Sequence, residues 1–155
     1  MKKEISKKNE SLFEQIKHTD ENGNEYWMAR QLAKTLEYAD FRNFSSVITK
    51  AIEACKNSGY NTSEHIVEAN EMVPIGSSAE REMPSYKLSR YACYLIVQNA
   101  DPSKKVVALG QTYFAVQTRL QEIQQMDAYN QLSSEEEKLR KSSKIIKHQH
   151  LSWNA

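Results

Sequence analysis

Tyr91-Ala92-Cys93-Tyr94-Leu95-Ile96-Val97 is an unbroken apolar run with no charge and no glycine. A helix built from it cannot turn any side to water without cost, so the run predicts a helix buried nearly all round. Burying one such side chain is worth ~1.5–3 kcal/mol. With Tyr113 and Phe114, the run is expected to form the central core of the chain rather than a cofactor pocket. A base-stacking platform would need exposed rings interleaved with Lys or Arg, and after Tyr91 no such residue comes before Lys104.

Downstream, Asp101-Pro102 restarts the chain, with Asp as N-cap and Pro at the first helical position. Val106, Leu109, Tyr113, Val116, Leu120 and Ile123 then make a heptad-like stripe on a long helix, suited to the core or to a second subunit. Ser134-x-x-Glu137 is a capping-box pattern and predicts a further helix over Glu135 to Lys147. Upstream, the helical period is lost between Asn61 and Leu88. Ile66-Val67 and Met72 to Ile75 read as strand pieces and Tyr86 to Leu88 as a return strand. The polar stretch from Gly76 to Pro84 is the loop between them. A short helix near Glu64 to Asn70 is the competing assignment.

Ala29, Leu32, Ala33 and Leu36 fall at i, i+3, i+4, i+7, one face of a two-turn helix. Asp40 can cap the next helix. Phe41, Phe44, Ile48, Ala51, Ile52 and Cys55 line one side of that second helix, and Gly59 suits the left-handed position that ends it. Ahead of this pair, Phe13 to Thr19 and Glu25 to Met28 flank Asp20-Glu21-Asn22-Gly23-Asn24. The Asn-Gly step predicts a short β-hairpin. The expected fold is therefore α+β: a short β-hairpin, a helix-turn-helix-like pair, a two-stranded flap, a buried helix and long C-terminal helices.

The composition narrows the function. At 155 residues and 39% apolar the chain suits one modest core with appendages. No stretch approaches the roughly 18 apolar residues of a membrane span, and Met1 to Glu10 lacks the apolar region of a secretory signal. Cys55 and Cys93 lie in apolar helical patterns, as buried thiols of a reducing cytosol do. The net charge is +1, so any nucleic-acid affinity must come from a local patch. Basic residues gather at Lys2, Lys3, Lys7 and Lys8, from Arg30 to Lys56, and from Lys138 to Lys147. Glu64, Glu68, Glu71, Glu80 and Glu82 make the middle acidic.

Catalytic patterns are not found. The four histidines (His18, His65, His148, His150) and two cysteines show no metal-ligand spacing. The four glycines form no phosphate-cradling loop. Glu80-Arg81-Glu82 with Lys87 has the residue types of a metal-dependent nuclease, but Pro84 interrupts it and the spacing fits no nuclease pattern. No catalytic residue, metal site or cofactor is expected. The positive signal is the helix pair, Met28 to Leu36 and Phe41 to Ser58, which has helix-turn-helix proportions. Opposite the apolar stripe of its second helix stand Arg42, Asn43, Ser46, Thr49 and Lys50, with Arg30 and Lys34 on the first. Arg can meet guanine, Asn adenine, and hydroxyls or Lys the phosphates. Any amphipathic helix pair also has a polar side, so the same residues suit a plain solvated face.

The block Leu88-Ser-Arg-Tyr-Ala-Cys-Tyr-Leu-Ile-Val-Gln-Asn-Ala-Asp-Pro102, followed by Gly110-Gln-Thr-Tyr-Phe-Ala-Val-Gln-Thr-Arg119, resembles the DNA-damage-inducible protein D (DinD) family. Upstream, Phe13-Glu-Gln-Ile-Lys17, Trp27-Met-Ala-Arg-Gln-Leu-Ala33, Glu53-Ala-Cys-Lys-Asn-Ser-Gly59 and Met72-Val-Pro-Ile-Gly-Ser77 extend the resemblance over roughly residues 12 to 140. That family carries the BRO-type N-terminal domain also seen in phage antirepressors and baculovirus proteins. The resemblance implies an α+β domain of a bacterial, cytoplasmic, SOS-type DNA-damage response, linked to DNA binding or to recombinational repair proteins, and no catalytic residues. Three regions are expected: a basic tail over 1–11, charged, polar and without periodicity and so read as disordered, a BRO-type domain over 12–126, and a helical extension over 127–155, shorter than the family's C-terminal region. The expected function is a DNA-binding regulatory module without catalysis, contacting DNA through Arg30, Lys34, Arg42, Asn43, Ser46 and Lys50 with modest sequence preference. The alternatives are a protein-interaction module acting on repair proteins through the acidic stretch, and a prophage antirepressor-like regulator. Homodimerisation through the 106–123 helix is a further expectation. Glu37 stands in the helix-pair turn where glycine is more usual.

Overall fold

The computed structural model describes residues 12–131 and 137–142. The basic tail expected over 1–11 and most of the helix expected over Glu135 to Lys147 lie outside the described residues, of which 137–142 are helical. The chain divides into two compact units, 1–111 and 112–155.

The first unit opens with a helical turn at 12–15 and the hairpin β1 (His18–Thr19) and β2 (Glu25–Met28). Asp20 makes the turn, its carboxylate accepting from the backbone N–H groups of Asn22 and Asn24 at 2.9 Å each. Gly23 takes the positive φ, 82°, that the turn requires. The strand does not reach back to Phe13 as the sequence suggested. Phe13 is drawn into a helical turn that stacks its ring on Trp27, centroids 4.3 Å apart.

Helix α1 (Ala29–Thr35) follows β2 without a break, and α2 (Phe41–Asn57) starts after the turn. Asp40 caps α2 as expected, accepting from Arg42 N–H at 2.9 Å. Phe44, Val47, Ile48, Ala51 and Cys55 are its buried residues. They pack α2 against α4 (Arg90–Asn99). Gly59, at φ 83°, ends α2. Glu37 also sits left-handed, at φ 65°, where its N–H reaches Lys34 O and the Tyr38 N–H reaches Ala33 O. A non-glycine residue there carries strain of about 1–2 kcal/mol.

The flap is longer and more regular than the sequence suggested. One helical turn, α3 (Thr62–His65), leads into β3 (Ile66–Ile75) and β4 (Ala79–Leu88). The two strands pair residue for residue from Ile66↔Leu88 to Ile75↔Ala79. The polar stretch 79–84 is therefore strand, not loop, and only Gly76-Ser77-Ser78 turns. Its charged residues hid the strand because this part of the ribbon has no buried face to impose an apolar alternation. The sheet order is β1-β2-β4-β3, joined through Trp27↔Leu88 and Met28↔Lys87.

The apolar run behaves largely as expected. Tyr91, Ala92, Cys93, Ile96 and Val97 are buried, whereas Tyr94 and Leu95 are half-buried. Burial pushes the Cys93 thiol well above its ordinary range, so it is a packing residue. The long helix α5 starts at Lys105 and runs to Asn130. Asp101 does not cap it but closes a separate turn, accepting from Ser103 N–H. Val107 is the buried residue of α5, and Gly110 lets it approach α4: a Cβ there would lie 2.9 Å from Val97 Cγ1. Tyr113 and Phe114 belong to the second unit, where their rings meet at 5.8 Å, and neither is buried. The expectation that they complete the central core is thus corrected. A stripe at heptad spacing makes a helix amphipathic without deciding what covers it.

His65 closes the base of the flap. Its Nδ1 lies 2.7 Å from Ser89 Oγ, its backbone O accepts from Ser89 N–H, and its ring meets Tyr91 edge-on at 4.9 Å. The buried Nε2 has no partner. Burial lowers the imidazole pKa, partly opposed by Glu64. The unfolded chain, with its ordinary histidine, therefore takes up the proton more readily. Stability is full above about pH 6.5 and falls as pH drops below it. Denaturant titrations should show this loss at pH values above those where carboxylates titrate, and His65→Gln should flatten it.

Candidate nucleic-acid interface

The cationic and amide residues singled out from the sequence fall in more than one place. Asn43, Ser46 and Lys50 project from the outer side of α2 and are exposed. They line a groove whose other wall is the end of α4 at Asn99 and the connection to α5, including Asp101 and Lys104. Arg42 is exposed one turn before Ser46 on the same helix. The helical period alone puts these residues together, because the apolar stripe Phe44, Val47, Ile48, Ala51 occupies the opposite side.

Arg30 and Lys34 lie elsewhere. With His18, Gln31 and Met72 they line a second groove, between α1 and the flap. Arg30 is half-buried and already engaged: its Nε donates to Pro84 O at 2.7 Å, and its guanidinium lies 4.0 Å from the centre of the Phe41 ring. It first serves to tie α1 to β4. Lys34 is exposed. Among the described residues the ion pairs are Lys17–Glu14, Arg90–Glu14 and Arg90–Glu25. Lys34, Arg42 and Lys50 enter none of them, so their charge faces solvent without an acidic partner.

The groove beside α2 contains residues that sequence reasoning passed over. Tyr38 Oη accepts from Asp101 N–H at 2.8 Å, and Lys104 Nζ lies 4.8 Å from the centre of the Tyr38 ring. Lys104 thereby faces the same space as Lys50, more than fifty positions away in sequence, and no local pattern signals that meeting. Asp40 and Asp101 also border the groove. Asp40 is held by the α2 cap, and the Asp101 carboxyl is kept below its usual range by the Ser103 backbone N–H. Both carboxylates stand near the cations, which weakens the local positive potential. The arrangement can bind a polyanion through two lysines and an arginine, and can read it through an amide and a hydroxyl. Among the described residues no group of three or more His, Cys, Asp or Glu could hold a metal ion, and no helix is long and apolar enough to cross a membrane.

The position of the helix pair depends on a capping contact from the flap. Met28, the N-cap of α1, has no side-chain cap of its own. Glu71 of β3 supplies it instead: its Oε1 accepts from Arg30 N–H at 3.1 Å and from Ser85 Oγ at 2.7 Å. Ser85 is buried, so the carboxylate, the hydroxyl and the helix N-terminus satisfy one another.

Residues 15–115 match the N-terminal domain of the BRO family. Over 136 residues the chain is 50% identical to DNA damage-inducible protein D of Escherichia coli (strain K12), an overlap of 88% of this chain and 50% of that protein. The chain thus spans about half the length of the curated relative it matches. No solved structure matches it. Removing the cap from the flap should loosen α1: Glu71→Ala is expected to cost about 1–3 kcal/mol, by orphaning the buried Ser85 hydroxyl and the Arg30 N–H. Chemical denaturation checks the loss, and Glu71→Gln should restore part of it.

Proposed function

The chain belongs to the BRO family through its N-terminal domain, and on that footing we propose that it is a DNA-binding regulatory module of a DNA-damage response, acting without catalysis. The observation that carries this reading is the outer side of α2. Arg42, Asn43, Ser46 and Lys50 stand exposed on one helix, free of ion pairs among the described residues, with Lys104 across a groove. A helix of this composition can enter the major groove with amide and guanidinium groups at base edges and lysines at phosphates. The name of the similar protein, DNA damage-inducible protein D, supports a role under DNA damage. Arg30 and Lys34 lie apart from this surface, and any contact they make with the DNA backbone comes from their own groove, with exposed Lys34 the freer of the two. The near-neutral chain and the two aspartates at the groove suit modest rather than tight binding.

Two further readings rest on other elements. Leu120 and Ile123 are 47% and 40% exposed on α5, which favours self-association along the stripe from 106 to 123, as DNA-binding helix pairs often use. The acidic flap favours a protein partner, such as a protein of recombinational repair, and does not compete for the α2 face.

Fluorescence anisotropy with labelled duplex and single-stranded DNA tests the main reading. Affinity should fall steeply with salt, because phosphate contacts release counterions. Replacing Arg42 and Lys50 by Ala should weaken binding to all sequences and lower the salt slope by about 1 for each phosphate no longer neutralised. Absence of binding to either form at micromolar protein and low salt would defeat the proposal.

A further inference from the structure

The strand β3 is the edge of the sheet, and its outer side carries no partner strand among the described residues. The direction of its backbone groups follows from Pro84. Pro84 faces Asn70 across the ribbon, has no N–H, and gives its carbonyl to Arg30 on the side away from β3. The 70↔84 pair is therefore one of the non-hydrogen-bonded pairs of the antiparallel ladder. Asn70, and by the two-residue period Glu68 and Met72, must then turn their N–H and C=O groups outward, along the free edge. Natural edges are usually blunted by a bulge, a lysine or a proline. Here the register runs without a bulge, no lysine stands on β3, and Pro74 blocks the edge only towards its far end.

The side chains decide what such an edge can take. By strand alternation Glu68, Asn70, Met72 and Pro74 share one face with their partners Tyr86, Pro84, Glu82 and Glu80. Glu68, Glu80 and Glu82 are exposed and form no ion pair among the described residues. Val67 and Ile75, on the other face, are 43% and 49% exposed, while Met72, 55% exposed, stands among the glutamates of the first face. One face thus carries three exposed glutamates, and the other carries exposed Val67 and Ile75 towards its two ends, with Glu71 between them engaged at the start of α1 and Arg81 and Lys87 on the facing strand. We propose that β3 accepts an extended segment of a partner protein as an added strand, with Lys or Arg side chains of that segment alternating with apolar ones. Its backbone completes the outward ladder at Glu68, Asn70 and Met72. Its cations lie over Glu68 and the β4 glutamates, and its apolar residues cover Val67 and Ile75. A second copy of this chain is disfavoured on the same edge, because it would set one acidic face beside another.

This inference rests on the reading of the flap as a protein-docking element and is independent of DNA contact by α2. The probe is a synthetic peptide of alternating Lys and Val, about eight residues long to match the edge at ~3.3 Å per residue, added to the full chain. Amide hydrogen exchange should slow at Glu68, Asn70 and Met72 and not at their neighbours Val67, Ala69 and Glu71. The same peptide N-methylated at alternate residues should bind about tenfold more weakly or worse, because it cannot complete the ladder. Glu68→Lys combined with Glu82→Lys should abolish the preference for Lys–Val over Glu–Val peptide. Unchanged exchange at the three amides would overturn the proposal. So would equal binding of the N-methylated or Glu–Val peptide, or protection that grows with protein concentration in the absence of peptide.

Discussion

Trp27 has no exposed surface, and the first unit is arranged around it. Its ring stacks on Phe13, its indole N–H donates to Phe13 O at 3.0 Å, and the Arg90 guanidinium lies 5.1 Å from the ring centre. Opposite it across the sheet stands Leu88, also buried. One side chain thereby joins the turn at 12–15, strands β2 and β4, and the start of α4. Arg90 completes the joint by pairing with Glu25 at 2.6 Å and Glu14 at 3.3 Å. The hydrogen bonds to Glu25 hold the Arg90 charge in place, while its guanidinium lies over the Phe13 and Trp27 rings. A buried indole contributes both apolar area and a polar tip that needs a partner. Register and orientation are set together, because a one-residue slip of β2 would turn Trp27 out of the core.

From that joint the candidate surfaces follow in order. β2 passes directly into α1, so fixing Trp27 fixes where α1 begins. Glu71 and Ser85 then cap α1 from the flap, and Arg30 ties it to Pro84. The strained left-handed Glu37 sets the turn into α2, whose apolar side is held against α4. The side of α2 left facing outward carries Arg42, Asn43, Ser46 and Lys50. Beyond these contacts with α1 and its base the flap is an exposed ribbon, with Glu68, Glu80 and Glu82 on one face and Val67 and Ile75 on the other. Two surfaces of opposite charge character thus project from one core.

The elements near the core were legible in the sequence because apolar periodicity reports burial. The 3.6-residue period of Ala29 to Leu36 and Phe44 to Cys55, the Asp40 cap, the Gly59 stop and the Asn22-Gly23 turn are local signals, and each has its counterpart in the structure. Features without a local signal were missed. Residues 79–84 form strand without apolar alternation, since neither face there meets the core. The helical turn holding Phe13 depends on Trp27, fourteen positions away. Tyr113 and Phe114 were expected in the core beside the apolar run, but aromatic character does not show how far a side chain is buried, and both are half-buried. For the candidate interface, the sequence identified the residues of α2 because they share one helix. It placed Arg30 and Lys34 beside them, although those two line another groove, and it passed over Lys104, which joins them only through the fold.

The central claim is that DNA meets the outer side of α2 and not the flap. Amide chemical-shift mapping of the isotope-labelled chain, titrated with duplex DNA at low salt, tests it most directly. The account predicts that the largest changes fall on Arg42, Asn43, Ser46 and Lys50 and reach Lys104, while Glu68 to Glu82 stay unmoved. Changes confined to the flap, or spread evenly over every exposed lysine and arginine, would contradict it.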